Sequence, residues 1–251
     1  MNYIRAGDAY SIARVLTENG NIYGLTTSTD SHMLKNSEWG AVAYLTKSQY
    51  GIESIDIAVN KKNMNSGNSS STKEQRNLLA SVYAVTGYND KEWNDYLGTS
   101  NSASSTGNIY GIYDLSGGSL ESTSGYISNG NNMLGNGGSL TEWINYNNYR
   151  TVSDEYRVVY NANDIGNTDE EKSNSNYLLN NNNYGEALNE ISAQGYGAPT
   201  WNEDLFHYPS KGTPFMDRGG SYSNGAQAGV FYLGCNDGIP GYGSVFRVVL
   251  I

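Results

Sequence analysis

Few residues in this sequence have the types and spacing that catalysis requires. The chain has a single cysteine, Cys235, and two histidines, His32 and His207, far apart in sequence. A single thiol excludes a Cys-rich zinc site. Metal sites need clustered ligands, so each histidine is interpreted as a surface or hydrogen-bonded residue. The carboxylate pairs Glu170-Glu171 and Glu203-Asp204 stand in polar runs, which indicates solvated faces rather than acid–base pairs. The sequence therefore predicts no catalytic residues and no enzyme.

One polar, acidic segment, residues 161–175, has a faint likeness to a calcium-binding loop. Asn161, Asn163 and Gly166 carry that likeness, but the closing bidentate glutamate is out of register. Calcium is therefore kept as an alternative at this segment. Otherwise no metal and no cofactor are predicted.

Composition and charge restrict the classes of partner. The formal net charge is −10 and no cluster of Lys and Arg is present, which argues against nucleic acid. No apolar run approaches membrane-spanning length, and Met1 leads into a helical pattern rather than a signal peptide. An anchoring or targeting segment upstream of Met1 is left open. Charged residues make up only 16%, and the polarity comes mainly from Asn, Ser and Thr, as in secreted or virion-surface proteins.

Apolar periodicity and turn residues divide the chain into elements. Helical spacing predicts helices over 8–18 and 182–192, and another that Asn36 or Ser37 caps and Gly51 ends. Trp39, Val42, Ala43 and Leu45-Thr46 are expected to be the buried stripe of that helix. Strands are predicted over 54–59, 155–160, 229–231 and 246–251, whereas 78–86 fits helix or strand. Polar loops are predicted over 63–72 and 100–107, whereas 125–138 is a low-complexity Asn/Gly segment and 161–175 is acidic and polar.

Three separated motifs carry a family resemblance. They are residues 36–45 (NSEWGAVAYL), residues 108–118 (NIYGIYDLSGG), and Arg218-Gly219-Gly220-Ser221 closing with Phe246-Arg247-Val248. In this order, across residues 8–251, they resemble the formylglycine-generating enzyme superfamily. The resemblance implies an α+β, C-type-lectin-like fold over a single domain, residues 1–251, with two main helices, short mixed β-strands and long irregular loops.

The oxidase function of that superfamily is not supported by the residues present. Its oxidase members need a pair of cysteines for copper, and its iron-dependent relatives need three histidines. This chain has Cys235 alone near the C-terminal motif, and only two histidines in total. A divergent oxidase of the same fold is therefore kept only as an alternative.

The chain is more similar to the variable proteins of diversity-generating retroelements, which are phage receptor-binding and bacterial surface-display proteins. In that family the last segment, here residues 218–251, is hypervariable because AAY codons are rewritten at their adenines. Codons of the resulting NNY type cannot encode Lys, Glu, Gln, Met or Trp, and none of these five occurs from Ala228 through Phe246. A Gly-rich loop that merely lacks long side chains would give the same pattern. Cys235 agrees with this pattern, because NNY codons can encode cysteine at random. Gln227 cannot arise from an NNY codon, so it would belong to the invariant scaffold.

By this resemblance a set of displayed, ligand-binding positions lies near the C-terminus. They are Tyr222, Ser223, Tyr232, Gly234, Cys235, Asn236, Asp237, Ile239, Gly241, Tyr242 and Gly243. The residues expected to hold them are Val230, Phe231, Phe246, Arg247 and Val249. We expect Arg218 and Arg247 to pair with acidic or backbone groups inside the fold. Exposed tyrosines suit binding because they offer a large contact area at small entropic cost.

The function implied is attachment rather than turnover. The expected partner is a host cell-surface protein or glycan. The protein itself is expected on a phage tail or a bacterial cell surface. No nucleic acid and no membrane insertion are expected, and a homo-oligomer is left open. Several copies on one particle would add multivalency. Besides the divergent oxidase, the other alternative is a structural virion or pilus component whose loop binds nothing specific.

Overall fold

The computed structural model describes residues 4–53, 104–108, 110–113, 115–128, 154–221, 224, 227–241 and 243–251. In chain order its helices and strands are α1 (Ala6–Val15), β1 (Ser31–Met33), α2 (Asn36–Thr46), β2 (Leu120–Ile127), a 3-10 turn (Asp154–Tyr156), β3 (Val158–Tyr160), α3 (Asp169–Leu179), β4 (Tyr196–Pro199), β5 (Leu205–His207), β6 (Phe215–Gly219), β7 (Gly229–Asn236), β8 (Ser244–Phe246) and β9 (Val248–Leu250). The predictions for 54–59, 63–72 and 78–86, and the parts of the others that fall on 100–103 and 129–138, lie outside the described residues.

A mixed sheet forms the centre of the described structure. Its strand order is β3-β2-β6-β7-β5-β4, and β8 also pairs with β2. The β2–β6 and β6–β7 pairs are antiparallel, whereas β3 and β8 run parallel to β2. Strands β1 and β9 form a separate antiparallel pair. Helices on a mixed sheet with antiparallel neighbours make the protein α+β.

The predicted first helix is confirmed, with shifted ends. Helix α1 begins at Ala6 instead of residue 8 and ends at Val15. Ala9, Tyr10 and Ala13 form its buried face, and they pack in a small core with Met33 and other apolar residues. Small residues on that face let the helix lie close to β1.

The second helix is confirmed but is shorter than expected. The prediction that Asn36 or Ser37 caps the helix is wrong, because the cap is Lys35 and Asn36 is already the first helical residue. The Lys35 backbone N–H donates to Glu38 Oε2 at 2.8 Å, which stabilises the first turn. The helix ends at Thr46 rather than near Gly51. Trp39, Ala43 and Thr46 are buried as predicted, but Leu45 is 57% exposed and does not belong to the buried stripe.

The prediction of a third helix over 182–192 is wrong. The helix instead spans α3, part of which lies in the acidic, polar segment 161–175. Thr168 Oγ1 accepts a hydrogen bond from the Glu171 N–H at 3.1 Å, and the Glu171 carboxylate accepts one from the Thr168 N–H at 3.1 Å. These reciprocal bonds stabilise the first turn of a helix that has little apolar periodicity. Residues 182–192 form turns, although Leu188 and Ile191 are fully buried.

The C-terminal strands differ from their predicted limits. The strand predicted over 229–231 continues to Asn236, so part of the expected loop after Phe231 belongs to β7. The run 246–251 divides at Arg247 into β8, which pairs with β2, and β9, which pairs with β1. The strand over 155–160 is limited to β3, after a 3-10 turn.

The larger core lies between α2, the sheet and the turns of 182–192. It contains a set of fully buried large side chains: Trp39, Ile127, Tyr160, Leu188, Phe206 and Tyr208. Three tyrosine and phenylalanine rings meet edge to face, with Tyr177 5.9 Å from Tyr208 and 6.0 Å from Phe206. Such packing favours a single rigid arrangement beneath β7.

Candidate ligand-binding surface

The three sequence motifs meet at Gly219, the last residue of β6. The Gly117 N–H donates to the Gly219 carbonyl oxygen at 2.9 Å. A Cβ on Gly219 would lie 3.3 Å from the Trp39 ring and 3.1 Å from the Leu115 carbonyl oxygen. Because its φ is +80°, this position favours glycine on conformational grounds as well. Gly219 therefore joins a helix residue, a turn and the C-terminal segment at one buried point.

Arg218 lies beneath this junction and is fully buried. Its Nη2 donates to the Ala187 carbonyl oxygen at 3.0 Å, and its guanidinium lies 5.6 Å from the centre of the Trp39 ring. The expected backbone partner is thus confirmed. Burial lowers the pKa of Arg218 to about 10, against the opposing effect of Tyr160 and Glu186, so the guanidinium remains charged at neutral pH.

Arg247 pairs with an acidic group, as predicted. Its Nε donates to Glu121 Oε2 at 2.8 Å, and its Nη2 donates to Glu121 Oε1 and, at 3.1 Å, to the Tyr113 carbonyl oxygen. The Glu121 side chain is only 8% exposed. This bidentate ion pair connects Arg247, which lies between β8 and β9, to the start of β2.

Tyr232 was expected to be displayed, and that expectation is wrong. It is only 5% exposed, because its ring packs against Gly234 on β7 and Gly220 just after β6. Cβ atoms on Gly220 and Gly234 would lie 3.1 Å and 3.0 Å from the ring. Burial raises the pKa of Tyr232 to about 12. Gly234 is itself buried, so it is a packing residue rather than a displayed one.

Cys235 also belongs more to the interior than to a contact surface. Its Sγ lies 3.3 Å from Thr213 Oγ1, at hydrogen-bonding distance. Burial raises the pKa of this thiol to about 12, so the thiolate is scarce at neutral pH. The residue is still partly accessible at its edge.

The remaining described candidates lie at the end of β7 and in the loop that follows. Ile239 is 48% exposed, and Asn236, Asp237, Gly241 and Gly243 are partly exposed. Tyr222, Ser223 and Tyr242 lie outside the described residues. The surface formed by residues 236–241 and 243 is called the 236–243 surface below.

Local hydrogen bonds fix the backbone of the 236–243 surface. Asn236 Oδ1 accepts from the Gly238 N–H at 2.6 Å, and Asp237 Oδ1 accepts from the Ile239 N–H at 3.1 Å. The Gly238 carbonyl oxygen also accepts from the Ala6 N–H at 3.1 Å, which connects the loop to the start of α1. Two successive side-chain turns of this kind reduce the backbone freedom that binding would otherwise remove.

Some of the expected scaffold residues are buried in the core and others are only partly buried. Val230 and Phe231 are buried in the larger core. Phe246, Arg247 and Val249 are partly buried. Trp39 Nε1 donates to the Val230 carbonyl oxygen at 2.7 Å, so the helix contacts β7 directly beneath the strand that leads to the surface.

Two aspartates that sequence reasoning missed help to position β7. Asp204 was assigned to a solvated face, but it is buried and its Oδ2 accepts from the Phe231 N–H at 2.9 Å. Asp217 is buried beside β7 and accepts from Ser122 Oγ at 2.7 Å. Burial raises the pKa of Asp217 more than the hydrogen bonds of Asn236 and Ser122 lower it. Nothing local in the sequence marks these carboxyls as buried.

In the part of the chain that the structure describes, no group of three or more His, Cys, Asp or Glu side chains is placed to hold a metal ion. Each histidine was expected to be either a surface residue or a hydrogen-bonded residue, and His32 is buried and hydrogen-bonded. In the 161–175 segment, Asn176 Oδ1 accepts from the backbone N–H groups of Asn163 and Asp164, at 2.9 and 3.0 Å. Asp164 itself accepts from Asn176 Nδ2 at 2.6 Å. These bonds connect the segment to Asn176 on α3.

Comparison with known proteins adds no assignment to this geometry. No protein-family model matches the sequence, and no curated protein matches it significantly. Among the described residues, none of the helices combines the length and the apolar character needed to cross a bilayer.

Proposed function

We propose that this chain is a non-catalytic receptor-binding protein of C-type-lectin-like fold whose C-terminal segment, residues 218–251, is hypervariable. In this proposal it attaches a phage tail to its host, or adheres from a bacterial cell surface. Its partner is a cell-surface protein or glycan. The family proposed is that of the diversity-generating retroelement variable proteins.

The observation that carries the proposal is the meeting of the three motifs at Gly219. Trp39 and Gly117, from two of the motifs, each lie against Gly219 of the third. A chance likeness of short motifs has no reason to bring them to one buried point. The buried Arg218 and the Arg247–Glu121 pair extend the same frame to both ends of the segment.

The burial of Tyr232 narrows the surface that can vary. A position enclosed between two glycines tolerates few replacements, so Tyr232 and Gly234 join the scaffold. The proposed contact surface is the 236–243 surface, together with Tyr222, Ser223 and Tyr242. The Asn236 and Asp237 side chains themselves hold the backbone of residues 236–239, so Ile239 can vary without loosening it. A replacement of Asn236 or Asp237, by contrast, removes one of the two side-chain turns.

The environment of Cys235 weighs against the divergent oxidase. Thiolate chemistry and copper binding require a thiol that ionises readily and can be reached. Burial has the opposite effect here, because it raises the thiol pKa to about 12.

The genomic test concerns the DNA beside the gene. The proposal requires a near-copy of the bases that encode residues 218–251, next to a reverse transcriptase gene. The copy should differ from the gene at adenines in codons for the exposed positions, and should match it at the codons for Tyr232 and Gly234. If no such copy exists, the hypervariable function is withdrawn and only a binding domain remains.

The binding test uses two matched substitutions on the full chain. Ile239→Glu changes the 236–243 surface, and Leu178→Glu changes an exposed leucine on α3 (63% exposed). We expect Ile239→Glu to reduce attachment to susceptible cells at least about tenfold, as loss of a contact anchor does, while Leu178→Glu leaves it unchanged. Both variants should melt near the parent temperature. Equal attachment by all three proteins would contradict the proposal.

A further inference from the structure

A second concave site lies away from the C-terminal segment, between α1, the 3-10 turn and the chain that enters β1. Its volume is about 660 Å³, within the range typical of small-molecule sites. Polar side chains dominate its lining: the hydroxyl residues Thr17, Thr27, Ser28 and Thr29, and the carboxylates Glu18 and Asp30. None of these residues belongs to the 236–243 surface, although the backbone of Asp30 is hydrogen-bonded to that of Ile251.

The inner wall of the pocket is held rigidly by Arg14. Its Nη1 donates to Asp30 Oδ1 and to the Ser31 carbonyl oxygen, both at 2.6 Å. Its guanidinium stacks on the Tyr156 ring, 3.5 Å from the ring centre. The Thr17 and Ser31 hydroxyl oxygens lie 3.3 Å apart. These contacts fix Asp30 and Thr17 without help from a ligand.

A buried histidine supports the same carboxylate from behind. His32 Nδ1 lies 2.8 Å from Asp30 Oδ2, and His32 Nε2 lies 2.8 Å from Glu38 Oε1. Burial acts to raise the pKa of Asp30, but the hydrogen bonds from Arg14 and His32 outweigh it and hold that pKa below its usual value. Asp30 is therefore an ionised acceptor of fixed position, and its side chain is still 33% exposed to the pocket.

The charge in the pocket selects the class of ligand. Arg14 donates to Asp30 and Ser31, and the Glu18 carboxylate lines the same space, so an anion meets an arginine that is already paired and one repelling charge. Asp30 is already paired with Arg14, which leaves Glu18 as the one other carboxylate in the described lining, and a metal cation needs more oxygen ligands than that. A neutral ligand with many hydroxyl groups suits both kinds of lining side chain. Its hydroxyls donate to the carboxylates, and they exchange hydrogen bonds with the Thr and Ser hydroxyls.

We propose that this pocket binds a neutral saccharide of one or two sugar units, with Asp30 and the Thr27–Thr29 hydroxyls as its polar contacts. A pocket open on one side admits the end of a longer glycan. The site has fixed residues, so its specificity would stay constant while the 236–243 surface changes.

The test is saturation-transfer NMR on the full chain with a defined panel. Neutral sugars (glucose, galactose, mannose, N-acetylglucosamine and their common disaccharides) are compared with glucuronic acid and glucosamine. We expect at least one neutral sugar to bind with a Kd on the order of 1 mM, and the charged sugars to bind at least about fivefold more weakly. Binding of only the charged sugars, or of no member of the panel, would overturn the proposal.

Matched variants locate the binding. Thr27→Val and Ser28→Ala remove exposed pocket hydroxyls without touching the core, whereas Ser48→Ala removes a hydroxyl outside the pocket that bonds only its own turn. We expect the pocket variants to weaken sugar binding at least about threefold and Ser48→Ala to leave it unchanged. Ile239→Glu should also leave it unchanged, which separates this site from the 236–243 surface. Equal binding by the pocket variants and the parent would refute the assignment.

Discussion

The indole Nε1 of Trp39 donates a 2.7 Å hydrogen bond to the carbonyl oxygen of Val230, across 191 residues of sequence. Both groups are buried, and the same ring lies against Gly219 and beneath Arg218. One side chain on α2 thus sets the position of β7 and of the β6 end. The stability of this part of the fold should depend strongly on it.

Replacing Trp39 by phenylalanine should destabilise the protein by about 2–4 kcal/mol. The change removes the hydrogen bond to the buried Val230 carbonyl oxygen and opens space against Gly219. Urea unfolding followed by circular dichroism measures the loss. Trp201→Phe is the matched control, because Trp201 is 63% exposed, and it should cost less than about 1 kcal/mol. Similar losses for both variants would contradict the structural role of Trp39.

Gly40 should not tolerate alanine, although alanine is the better helix former. A Cβ on Gly40 would lie 2.7 Å from the Glu186 Cα and closer still to the Gly185 carbonyl oxygen. That contact is with backbone, which cannot move aside easily. We expect Gly40→Ala to lower the free energy of unfolding by about 1–3 kcal/mol.

The neighbouring exposed position supplies the control for Gly40. Ala41→Gly should cost about 1 kcal/mol from helix propensity alone. Opposite changes at adjacent positions of one helix are therefore both expected to destabilise. A stabilised Gly40→Ala variant would show that α2 and the 185–186 turn are farther apart than described here.

The Cys235 thiol should react slowly in the folded protein. Because burial raises its pKa to about 12, little thiolate is present at pH 8. With a disulfide reagent such as DTNB, we expect native labelling at least about a hundredfold slower than labelling in denaturant, since both thiolate fraction and access are reduced. Rapid, stoichiometric native labelling would reopen the oxidase alternative, and copper analysis would then follow.

Asp217→Asn should stabilise the protein increasingly as the pH rises. Burial raises the folded-state pKa of Asp217, so the folded protein binds this proton more tightly than the unfolded chain. The associated stability is present below the unfolded pKa of about 4 and is lost as pH rises through the folded value. Asparagine can keep the hydrogen bond from Ser122 without the buried charge.

The measurement for Asp217 is the difference in unfolding free energy between parent and variant at pH 4 and at pH 8. Other titrating groups contribute to both proteins and largely cancel in that difference. We expect the advantage of the variant to be larger at pH 8. A larger advantage at pH 4, or a variant less stable at both, would contradict the assigned direction.

Parts of the fold that depend on local pattern could be predicted from the sequence. The spacing of Ala9 and Ala13 locates α1, and the apolar residues around Trp39 locate α2, because a buried helix face needs that period. Helix α3 has little such periodicity. Its start is determined by the Thr168–Glu171 reciprocal bonds, a signal that is present in the sequence but was outweighed by the acidic composition.

The error at Tyr232 has a different origin. Its burial depends on Gly220 and Gly234, which leave room for the ring only once β6 and β7 are adjacent. A codon pattern reports which residues can be written at a position, not whether that position faces solvent. Arg218 and Arg247 were predicted correctly because charged groups near strands must find partners.

Strand β9 pairs with β1, and the backbone of Ile251 exchanges hydrogen bonds with Asp30 at 2.8 and 3.0 Å. The two strands are separated by roughly 200 residues of chain, a long-range contact of the kind that slows folding. During synthesis β1 therefore remains without this neighbour until Leu250 has left the ribosome. Ribosome stalling before that point should yield nascent chains that are cut readily by protease near residues 26–31.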